Sequence, residues 1–399
     1  MKHYVFLTFA IQEIGGGQCY VAAKSEYLES KGWHVVIFSS GNRNGKKCPI
    51  DYLEKFKDYT APEIGRPVFM IPSFLVNNQL KAMINHIGSI SNSDEIIIES
   101  GDDKTALWGE LLAERLGARH FIKLLPEHYR SKRQCFKNKL DFYRFKFERG
   151  ELFGRKEILD RLFEDYMVVA QEDCRVAVIN ESPVRDEENK VVEQIQKKDY
   201  NICYIGRASK PYMENVILGV AAFAKHHVDK SVLFIMVGDF NIMRPVLNEV
   251  SRVENLIITE TGPLHPLPKS LFKKTDVVIA GSGSARCSAE EGVLTIIAEP
   301  ESKMSSGILG YETKESIYQS DDSVLSSFED ALERALVEQS WKGKPYKYVR
   351  QMSVEECVNQ NFELMKNADQ KMCYFNRKKL MEGRLNAKAT LSLILRKLH

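Results

Sequence analysis

The sequence has no long apolar run, no paired cysteine motif and almost no net charge. No apolar stretch approaches the roughly 18 residues that a membrane-spanning helix needs, so no span is expected. The eight cysteines are scattered without a C-x-x-C pair, which favours reduced, packed thiols in a cytosol over a disulfide framework. The formal charge of +2 predicts no global attraction to nucleic acid. Any electrostatic function must therefore come from local clusters.

The chain is long and apolar enough for two ordinary domains. It has 399 residues, of which 44% are apolar and 28% are charged, so each domain can bury a core. Its start mimics a signal peptide only briefly, because the apolar run passes into Gly15, Gly16 and Gly17 with no A-x-A site. We interpret this run as the first strand of a sheet.

Strand and helix patterns alternate in both halves of the chain. This alternation predicts an α/β fold with two Rossmann-like, doubly wound parallel-sheet domains that face each other across a cleft. The predicted strands are 4–9, 33–38, 96–99, 120–125 and 167–170, then 201–205, 232–237, 255–260, 276–280 and 294–298. The predicted helices are 18–30 and 104–116, then 213–227, 241–251, 284–291, 322–338 and 353–366.

The domain bounds follow from a charged, proline-containing stretch near the middle of the chain. We predict a first domain over 1–185, a linker over 186–199 and a second domain over 200–366. The basic segment 367–399 is expected to pack back on the first domain or to contact a membrane.

The segment 201–239 is the most informative part of the sequence. It has the pattern of a βαβ unit, with Gly206 and Arg207 just past the carboxyl end of a strand, where parallel sheets bind ligands. A guanidinium there suits a diphosphate, because its fork of donors matches two oxygens. Arg207 and Lys210 are therefore candidates to stabilise a departing diphosphate. A solvated basic loop is the alternative.

A second small-residue turn, from Gly281 to Ser284, joins another predicted strand to a helix. Ser282, Gly283 and Ser284 at a helix N-terminus favour a phosphate. Glu290 or Glu291, further along the helix, is a candidate to accept from a ribose diol. A glycine-rich surface turn with two solvated glutamates is the alternative.

Gly15, Gly16, Gly17 and Gln18 join the first predicted strand to the first helix. Glycines let a ligand approach the backbone, and the helix presents its positive dipole end to the same place. The dinucleotide pattern G-x-G-x-x-G is absent, because Tyr20 occupies the place of the third glycine. A tight turn without a ligand is the alternative.

Two further strand exits carry polar candidates. His128 follows the predicted strand 120–125 and is placed to reach an interdomain cleft, although a lone histidine is usually structural. Asp102 and Asp103 follow another strand. They are candidates to bind acceptor hydroxyls, but capping a helix that begins at Lys104 explains them equally well.

Two basic amphipathic stretches are candidates for peripheral membrane contact. Within 129–149 the apolar residues Phe136, Leu140, Tyr143 and Phe147 fall on one helical face, with cations off it. From Lys371 onward the chain is strongly basic and carries a leucine-rich stripe. Helices packed on their own domain are the alternative, and nucleic-acid binding is a weaker reading because base-reading motifs are missing.

Four segments in order resemble a known family. YIGRASK, LFIMVGD, TGPLHPLPKSLFKKTDVVIAGS and EEGVLTIIAEP in the second half are similar to GT-B glycosyltransferases of family 4 (glycosyl transferases group 1), and IGGGQCYVAAKSEYLESKGWHVVIFSS in the first half is similar to that family's glycine-rich turn. The resemblance implies transfer of a sugar from a nucleotide-sugar donor, without a required metal or other cofactor. The expected partners are a nucleotide sugar and a saccharide or polyprenyl-diphosphate-linked acceptor.

The resemblance also implies roles for individual residues. Arg207, Lys210 and His128 would be catalytic, and Gln18, Asp102 and Asp103 would bind acceptor. The donor would contact Gly16, Gly17, Gly206, Ser282, Gly283, Ser284, Glu290 and Glu291. The sequence departs from the family at its usual glutamate pair, where Ile279 and Cys287 stand.

The predicted function is glycosyl transfer in surface polysaccharide biosynthesis, in the cytoplasm and peripherally on the inner face of the membrane. Two alternatives stay open. One is a sugar-nucleotide epimerase of the same fold, and the other is an inactive scaffold, which the missing glutamate pair favours.

Overall fold

The protein divides into two compact units. The first comprises Met1–Ile179 together with Met352–His399, and the second comprises Asn180–Gln351. The computed structural model describes residues 1–12, 14–40, 48–91, 93–124, 139–154, 159, 162–163, 184–317, 319, 323–348 and 353–381.

The first unit contains a five-stranded parallel sheet with the order β2-β1-β3-β4-β5. Its central strands are almost continuously apolar and buried, because helices cover both faces. This order reverses direction between β1 and β3, which is the topological switch point of the sheet. The strands are β1 (Lys2–Thr8), β2 (His34–Ser39), β3 (Glu95–Ser100), β4 (Arg119–Lys123) and β5 (Leu152–Phe153).

The helices of the first unit form because apolar residues recur at helical spacing and pack on the two sheet faces. The described helices are α1 (Gly16–Ser30), α2 (Asp51–Glu54), α3 (Ser73–Ile87), α4 (Asp103–Leu116), α5 (Lys139–Glu148), α12 (Val354–Asn367) and α13 (Arg377–Met381), with 3₁₀ turns at Pro62–Gly65 and Val68–Met70.

The second unit contains a six-stranded sheet with the order β13-β12-β11-β7-β8-β9. All pairs are parallel except the edge pair β12–β13. The switch point lies between β7 and β11. The strands are β7 (Tyr200–Ile205), β8 (Val232–Val237), β9 (Leu256–Gly262), β11 (Val277–Ala280), β12 (Leu294–Ala298) and β13 (Ser305–Ile308), and a separate parallel pair joins β6 (Val184–Arg185) to β10 (Leu267–Pro268).

Helices pack on both faces of this second sheet as well, around two buried apolar clusters. The last of them passes from an α-helical into a π-helical stretch at Glu333–Val337. The described helices are α6 (Lys190–Glu193), α7 (Met213–His226), α8 (Arg244–Val250), α9 (Lys269–Lys273), α10 (Gly283–Glu290) and α11 (Phe328–Leu332), with a 3₁₀ turn at Asn241–Met243.

The chain after Met352 folds with the first unit, whereas the sequence predicted a second domain that extends to 366. Helix α12 packs on α1, and the Asn361 side-chain oxygen accepts from the Lys24 ammonium at 3.1 Å. The Arg119 guanidinium donates to the Met365 carbonyl. Apolar periodicity shows that α12 is a packed helix, but it does not say which core the helix covers.

The predicted linker 186–199 is also corrected, because these residues are folded into the second unit. Val192 is fully buried and Ile195 nearly so. The Lys274 ammonium donates to the carbonyls of Val192, Glu193 and Ile195 at 2.9, 2.6 and 2.8 Å. Because the segment is mostly polar, its sequence did not indicate that Val192 and Ile195 would be buried.

The described cysteines are consistent with packed thiols. None of the six described cysteines forms a disulfide, and only Cys373 is exposed, whereas Cys19, Cys48, Cys203, Cys287 and Cys357 are buried. Cys135 and Cys174 lie outside the described residues. Within the described part of the chain, no helix combines the length and the apolar character that crossing a bilayer requires.

Candidate functional site

The two phosphate-favouring turns of the second unit follow neighbouring strands. The Arg207 turn follows β7 and the Gly281–Ser284 turn follows β11, and Tyr204 pairs with Ile279 in the parallel ladder between these strands. Both turns therefore leave the carboxyl edge of the sheet at its switch point, where open α/β sheets bind ligands. The strand order brings together two segments that lie more than seventy positions apart in the chain.

The Arg207 turn is held by hydrogen bonds to its own carbonyl. The Arg207 carbonyl accepts from the Tyr204 hydroxyl and from the Lys210 backbone N–H, both at 3.2 Å. Arg207 and Lys210 are half-buried in this turn, which leads directly into α7. The turn thus places two cations three residues apart beside a helix N-terminus.

A buried tyrosine forms the floor below this turn. Tyr204 is inaccessible to solvent, and burial, followed by its hydrogen-bonded neighbour Tyr212, raises the pKa of its hydroxyl well above the usual value. A Cβ atom on Gly206 would lie 2.6 Å from the Tyr204 oxygen. Gly206 therefore makes room for the hydroxyl that fixes the Arg207 carbonyl.

A further glycine at the same edge permits close backbone approach. Gly238 follows β8 with φ of 150°, and a Cβ atom there would collide with the Gly206 carbonyl oxygen. Its backbone N–H donates to Gly262 at 3.1 Å. The main chain of Gly238 therefore lies close to Gly206 at this edge, beside the Phe240 ring, and leaves no room for a side chain at position 238.

The Gly281–Ser284 turn contains an unusual backbone conformation. Ser282 has φ of 59° and ψ of −128°, a region that residues other than glycine seldom adopt. Its N–H donates to the Ser316 carbonyl at 2.5 Å. A conformation of this kind costs on the order of 1–3 kcal/mol and is found most often at functional sites.

Tyr212 connects the two turns. Its hydroxyl is hydrogen-bonded to Tyr204 below the first turn and lies 3.2 Å from the point that a Cβ atom on Gly281 would occupy in the second. Helices α7 and α10 both begin at this edge, at Met213 and Gly283. Two helix N-termini and two cations therefore meet at one place, and this combination is suited to a diphosphate. Sequence reasoning missed both tyrosines, because they look like ordinary core residues.

Glu290 and Glu291 lie at the other end of α10 from this turn, and their role as ribose ligands stays a prediction. They end α10, whose other end carries Ser282 and Gly283. At about 1.5 Å per residue, the helix carries them roughly 10 Å away, toward the start of β12. The Glu290 carboxylate there accepts from the Tyr348 hydroxyl at 3.2 Å.

The glycine-rich turn of the first unit lies at that unit's own switch point, after β1. Helix α1 begins at Gly16, and no side chain caps it, because Gly15 is its N-cap residue. The Gln18 side-chain amide donates to the Ala10 carbonyl at 3.0 Å, so it braces the turn from within. Gly16 and Gly17 lie on the outer side of the turn, where Gly16 is exposed.

Asp102 and Asp103 leave β3 at the same switch point. Asp102 is the N-cap of α4, since its carboxylate accepts from the backbone of Lys104 and Thr105 at 2.8 and 3.1 Å. The Asp103 carboxylate accepts from the Tyr143 hydroxyl at 2.6 Å. The contacts of Asp102 are thus those of a helix cap, which is the alternative to acceptor binding.

Lys104 is a cation at this edge that sequence reasoning missed. Its ammonium lies 5.1 Å from the centre of the Phe9 ring, so α4 and the turn after β1 meet here. Phe9 is about half exposed, at 48%. An exposed aromatic ring beside a cation is a surface on which a sugar or a phosphate can rest.

The Ser100, His120 and Glu110 side chains form a line of hydrogen bonds below this edge. Ser100 Oγ lies 2.9 Å from His120 Nε2, and His120 Nδ1 lies 2.8 Å from Glu110 Oε2. The three groups have the connectivity of a hydrolase triad. All three are buried, so no substrate reaches the hydroxyl, and their role is structural.

His128 lies outside the described residues, as do Phe136 and the leucine-rich stripe beyond Met381. Part of the other amphipathic stretch is described as α5, and it supports packing on its own domain. Phe142 and Tyr143 are fully buried, and the Lys146 ammonium is buried against Glu110 and Glu151. This face of α5 is therefore not available to a bilayer.

Metal ligation was not predicted for either unit. Within the described ranges, no three His, Cys, Asp or Glu side chains cluster so as to hold a metal ion.

Comparison with known proteins relates the fold to nucleotide-sugar enzymes. No protein-family model matches the chain, and no curated protein matches it in sequence. Among solved structures, HepE from Anabaena in complex with UDP and glucose has a TM-score of 0.58 at 11% identity, over 92% of this chain and 99% of that one. A glycosyltransferase from Rickettsia africae has a TM-score of 0.57 at 15% identity, over 92% and 96% of the two chains.

A structure named as a candidate UDP-N-acetylglucosamine 2-epimerase, from Listeria monocytogenes, is similar to a comparable extent. Its TM-score is 0.54 at 12% identity, over 94% of this chain and 99% of that one. These neighbours span nearly the whole chain, and they share its two Rossmann-like units. The predicted α/β GT-B fold class is confirmed, whereas membership of family 4 stays a prediction.

Proposed function

We propose that the protein is a glycosyltransferase that moves a sugar from a nucleotide-sugar donor to a saccharide or lipid-linked acceptor during surface polysaccharide biosynthesis. One observation carries the proposal. The Arg207 turn and the Gly281–Ser284 turn leave adjacent strands at the switch point of the second sheet. The nucleotides and nucleotide sugars named in the similar structures make a uridine diphosphate sugar the first donor to test.

In this proposal the second unit stabilises the leaving nucleoside diphosphate. The Arg207 guanidinium offers paired donors to two phosphate oxygens, and Lys210 adds a second positive charge. Backbone N–H groups of Gly283 and Ser284 face the same developing charge at the start of α10, next to Ser282, whose own N–H is bound to the Ser316 carbonyl. Fixed positive charge at this position lowers the barrier to departure of the diphosphate without a metal ion.

The first unit supplies the acceptor side of the proposed reaction. Gln18 and Asp103 contribute polar groups near its switch point, where Gly16 and Gly17 also allow the phosphate or sugar of the donor to approach the backbone. Asp102 contributes through the α4 cap that it forms. His128 keeps its predicted role facing the reacting sugar. Glu290 and Glu291, at the far end of α10, keep their predicted role as candidate ribose ligands.

The test combines a turnover assay with a matched pair of arginine variants. The wild-type protein is incubated with UDP-sugars and saccharide acceptors, and free UDP is measured. Arg207→Ala is expected to lower kcat/KM by about 100-fold or more, because one transition-state donor is removed. Arg252→Ala changes an exposed arginine of the same unit and should leave turnover unchanged. Equal activity of the two variants would refute the assigned role of Arg207.

A sugar-nucleotide epimerase is the second candidate, and the similarity to the Listeria structure favours it. The two reactions differ in their products. Transfer releases UDP only when an acceptor is present, whereas epimerisation converts the donor reversibly into a stereoisomer without any acceptor. Proton NMR of the donor with the acceptor omitted separates them. Appearance of a second nucleotide sugar in that sample would replace the proposed transfer by epimerisation.

An inactive scaffold in a polysaccharide-assembly complex is tested in cells. If the protein acts as an enzyme, Arg207→Ala should reduce cellular glycan as strongly as deletion of the whole chain. Normal glycan with Arg207→Ala, together with loss of glycan on deletion, would establish the scaffold instead.

A further inference from the structure

The second unit contains a cavity of about 630 Å³ that the proposed reaction does not use. It lies at the outer margin of the sheet, beside the edge strand β13. The turn Gly310–Lys314 forms one wall, and Ser326, Arg334, Lys344 and Lys347 contribute to the others. Strands β12 and β11 stand between β13 and the switch point, so the cavity is separate from the Arg207 turn.

The lining of the cavity is strongly basic. Among the described residues of the lining, Lys314, Arg334, Lys344 and Lys347 oppose a single carboxylate, that of Glu312. This carboxylate is already engaged, because it accepts from the Arg334 guanidinium at 3.2 Å and from the Ile308 backbone N–H at 3.1 Å. The cavity therefore keeps a net positive charge after its internal ion pair is formed.

Arg334 is held in one orientation. Its guanidinium donates to the Ser326 hydroxyl at 2.9 Å in addition to Glu312. It is carried by the π-helical stretch Glu333–Val337, a rare geometry that is frequent at functional sites. Both observations indicate that the fold positions this cation rather than leaving it in a solvated surface arrangement.

Lys344 and Lys347 are exposed lysines whose main chain is held by backbone hydrogen bonds. The Lys347 N–H donates to the Gly310 carbonyl at 2.7 Å, and the Lys344 N–H donates to the Trp341 carbonyl at 3.1 Å. Among the described residues, no ion-pair partner is found for either ammonium. Like charges that the backbone holds around a concavity focus a positive potential into it.

We infer that this cavity is a second anion-binding site, which takes a ligand carrying a multiply charged phosphate group. Lys344 and Lys347 supply point charges, and the Arg334 guanidinium extends the positive wall beside Ser326. The ligand is a free phosphorylated metabolite or the headgroup of an anionic lipid, which share this chemistry. The site is independent of nucleotide-sugar binding, so the failure of one does not entail the failure of the other.

The test uses inorganic pyrophosphate as the probe and isothermal titration calorimetry of the full chain at low salt. The variant Lys344→Glu/Lys347→Glu reverses two side-chain charges and leaves both backbone hydrogen bonds possible. The control Lys225→Glu/Lys342→Glu makes the same change in net charge at exposed lysines outside the cavity lining. Thermal unfolding of each variant verifies that it is folded.

The titrations are made in an Arg207→Ala background, because the switch point is itself proposed to bind a diphosphate. In this background the inference predicts that pyrophosphate binds, that binding is at least tenfold weaker with Lys344→Glu/Lys347→Glu, and that the control stays within twofold of Arg207→Ala alone. Equal binding with and without the cavity substitutions would overturn the inference. So would an equal loss in the control, or no binding of pyrophosphate by Arg207→Ala.

Vesicles then identify the source of the phosphate. The wild-type protein is sedimented with phosphatidylglycerol vesicles and, separately, with phosphatidylcholine vesicles. Sedimentation with the anionic vesicles alone, abolished by Lys344→Glu/Lys347→Glu, assigns the site to lipid headgroups. Pyrophosphate binding without sedimentation assigns it to a free phosphorylated compound.

Discussion

The charged side chains at the two switch points of this molecule have different roles. In the first unit, the carboxylate of Asp102 caps a helix and that of Asp103 binds Tyr143, so the strand exits are engaged in holding the fold. In the second unit, Arg207 and Lys210 lie in a turn above a neutral tyrosine floor. The same sheet edge thus serves mainly stability in one unit and, as we propose, ligand charge in the other.

The difference continues below the two edges. Under the first edge, the Lys24 ammonium lies 2.7 Å from the Glu99 carboxylate, and Tyr20 donates to the same carboxylate at 2.8 Å. Burial raises the pKa of Glu99, but Lys24, Lys123 and the hydrogen bond from Tyr4 together outweigh it, and the pKa is lowered overall. Lys123, buried over the Tyr20 ring, has a pKa well below its usual value because of burial. Below the corresponding edge of the second sheet lie the buried hydroxyls of Tyr204 and Tyr212, which are uncharged.

The largest expected effect comes from removing the buried ion pair between Lys24 and Glu99 in the first unit. Lys24→Met leaves Glu99 without its principal counterion in a buried site, and we expect a loss of about 3–5 kcal/mol in unfolding free energy. Denaturant unfolding is followed by Trp33 and Trp108 fluorescence in a Trp341→Phe background. Lys31→Met, at the C-cap of the same helix, removes an exposed pair with Glu355 and should cost less than about 1 kcal/mol. Similar losses for both variants would contradict the comparison.

Acid should destabilise the first unit before the second. Burial would raise the pKa of Glu110, but the Lys146 ammonium and the His120 ring outweigh it and hold the pKa at about 2. Because the folded pKa is lower than the unfolded value of 4.5, this stabilisation is complete above that value and is lost as the pH falls toward 2. The contribution of Glu110 is about 3 kcal/mol.

His120 acts in the same direction. Burial, and then Lys146, lowers its pKa, so the folded ring stays neutral while the unfolded ring takes up a proton below pH 6.5. Acid titration of single-reporter proteins measures the two units separately. Trp341→Phe reports on the first, and Trp33→Phe/Trp108→Phe reports on the second. Glu110→Gln should make the unfolding free energy of the first unit depend less on pH. An unchanged pH profile would disprove the contribution assigned to Glu110.

A smaller effect is expected from a change at Gly206, which lies against the buried Tyr204 below the Arg207 turn. Gly206→Ala places a methyl group 2.6 Å from the Tyr204 oxygen, and we expect it to cost about 2 kcal/mol and to weaken UDP binding, because the Arg207 carbonyl loses its support. Tyr204→Phe removes the clashing oxygen, so the double variant should recover about half of the loss. Additive losses would show that Tyr204 is not what confines Gly206.

The smallest effect tests the helix cap at the first edge. Asp102→Ala should lower the unfolding free energy by about 1 kcal/mol, because α4 loses its capping oxygen. Asp102→Asn keeps a capping oxygen and should restore stability to within about 0.5 kcal/mol. Acceptor KM in Asp102→Asn measures any additional role of the charge. If Asp102→Asn lowered the unfolding free energy as much as Asp102→Ala does, the assignment of Asp102 as the cap of α4 would be wrong.

Local pattern predicted most of the regular elements and the turns that matter. Val232–Val237 and Leu294–Ala298 form strands with the predicted bounds, because continuous apolar runs of this length suit strands covered on both faces. The Arg207 and Gly281–Ser284 turns were found because small residues and a cation follow such runs. The antiparallel edge strand Ser305–Ile308 was missed, since its serines and glycine lack an apolar alternation.

The linear order of residues was sufficient for element type, for fold class and for the two phosphate-favouring turns, because backbone periodicity and turn chemistry act over a few neighbouring positions. Only the tertiary structure decided which turns are adjacent, which core α12 covers, and that Tyr204 and Tyr212 support the site. These features depend on strand order and on contacts between distant segments. Such contacts are selected by the burial of whole faces, which no local pattern specifies.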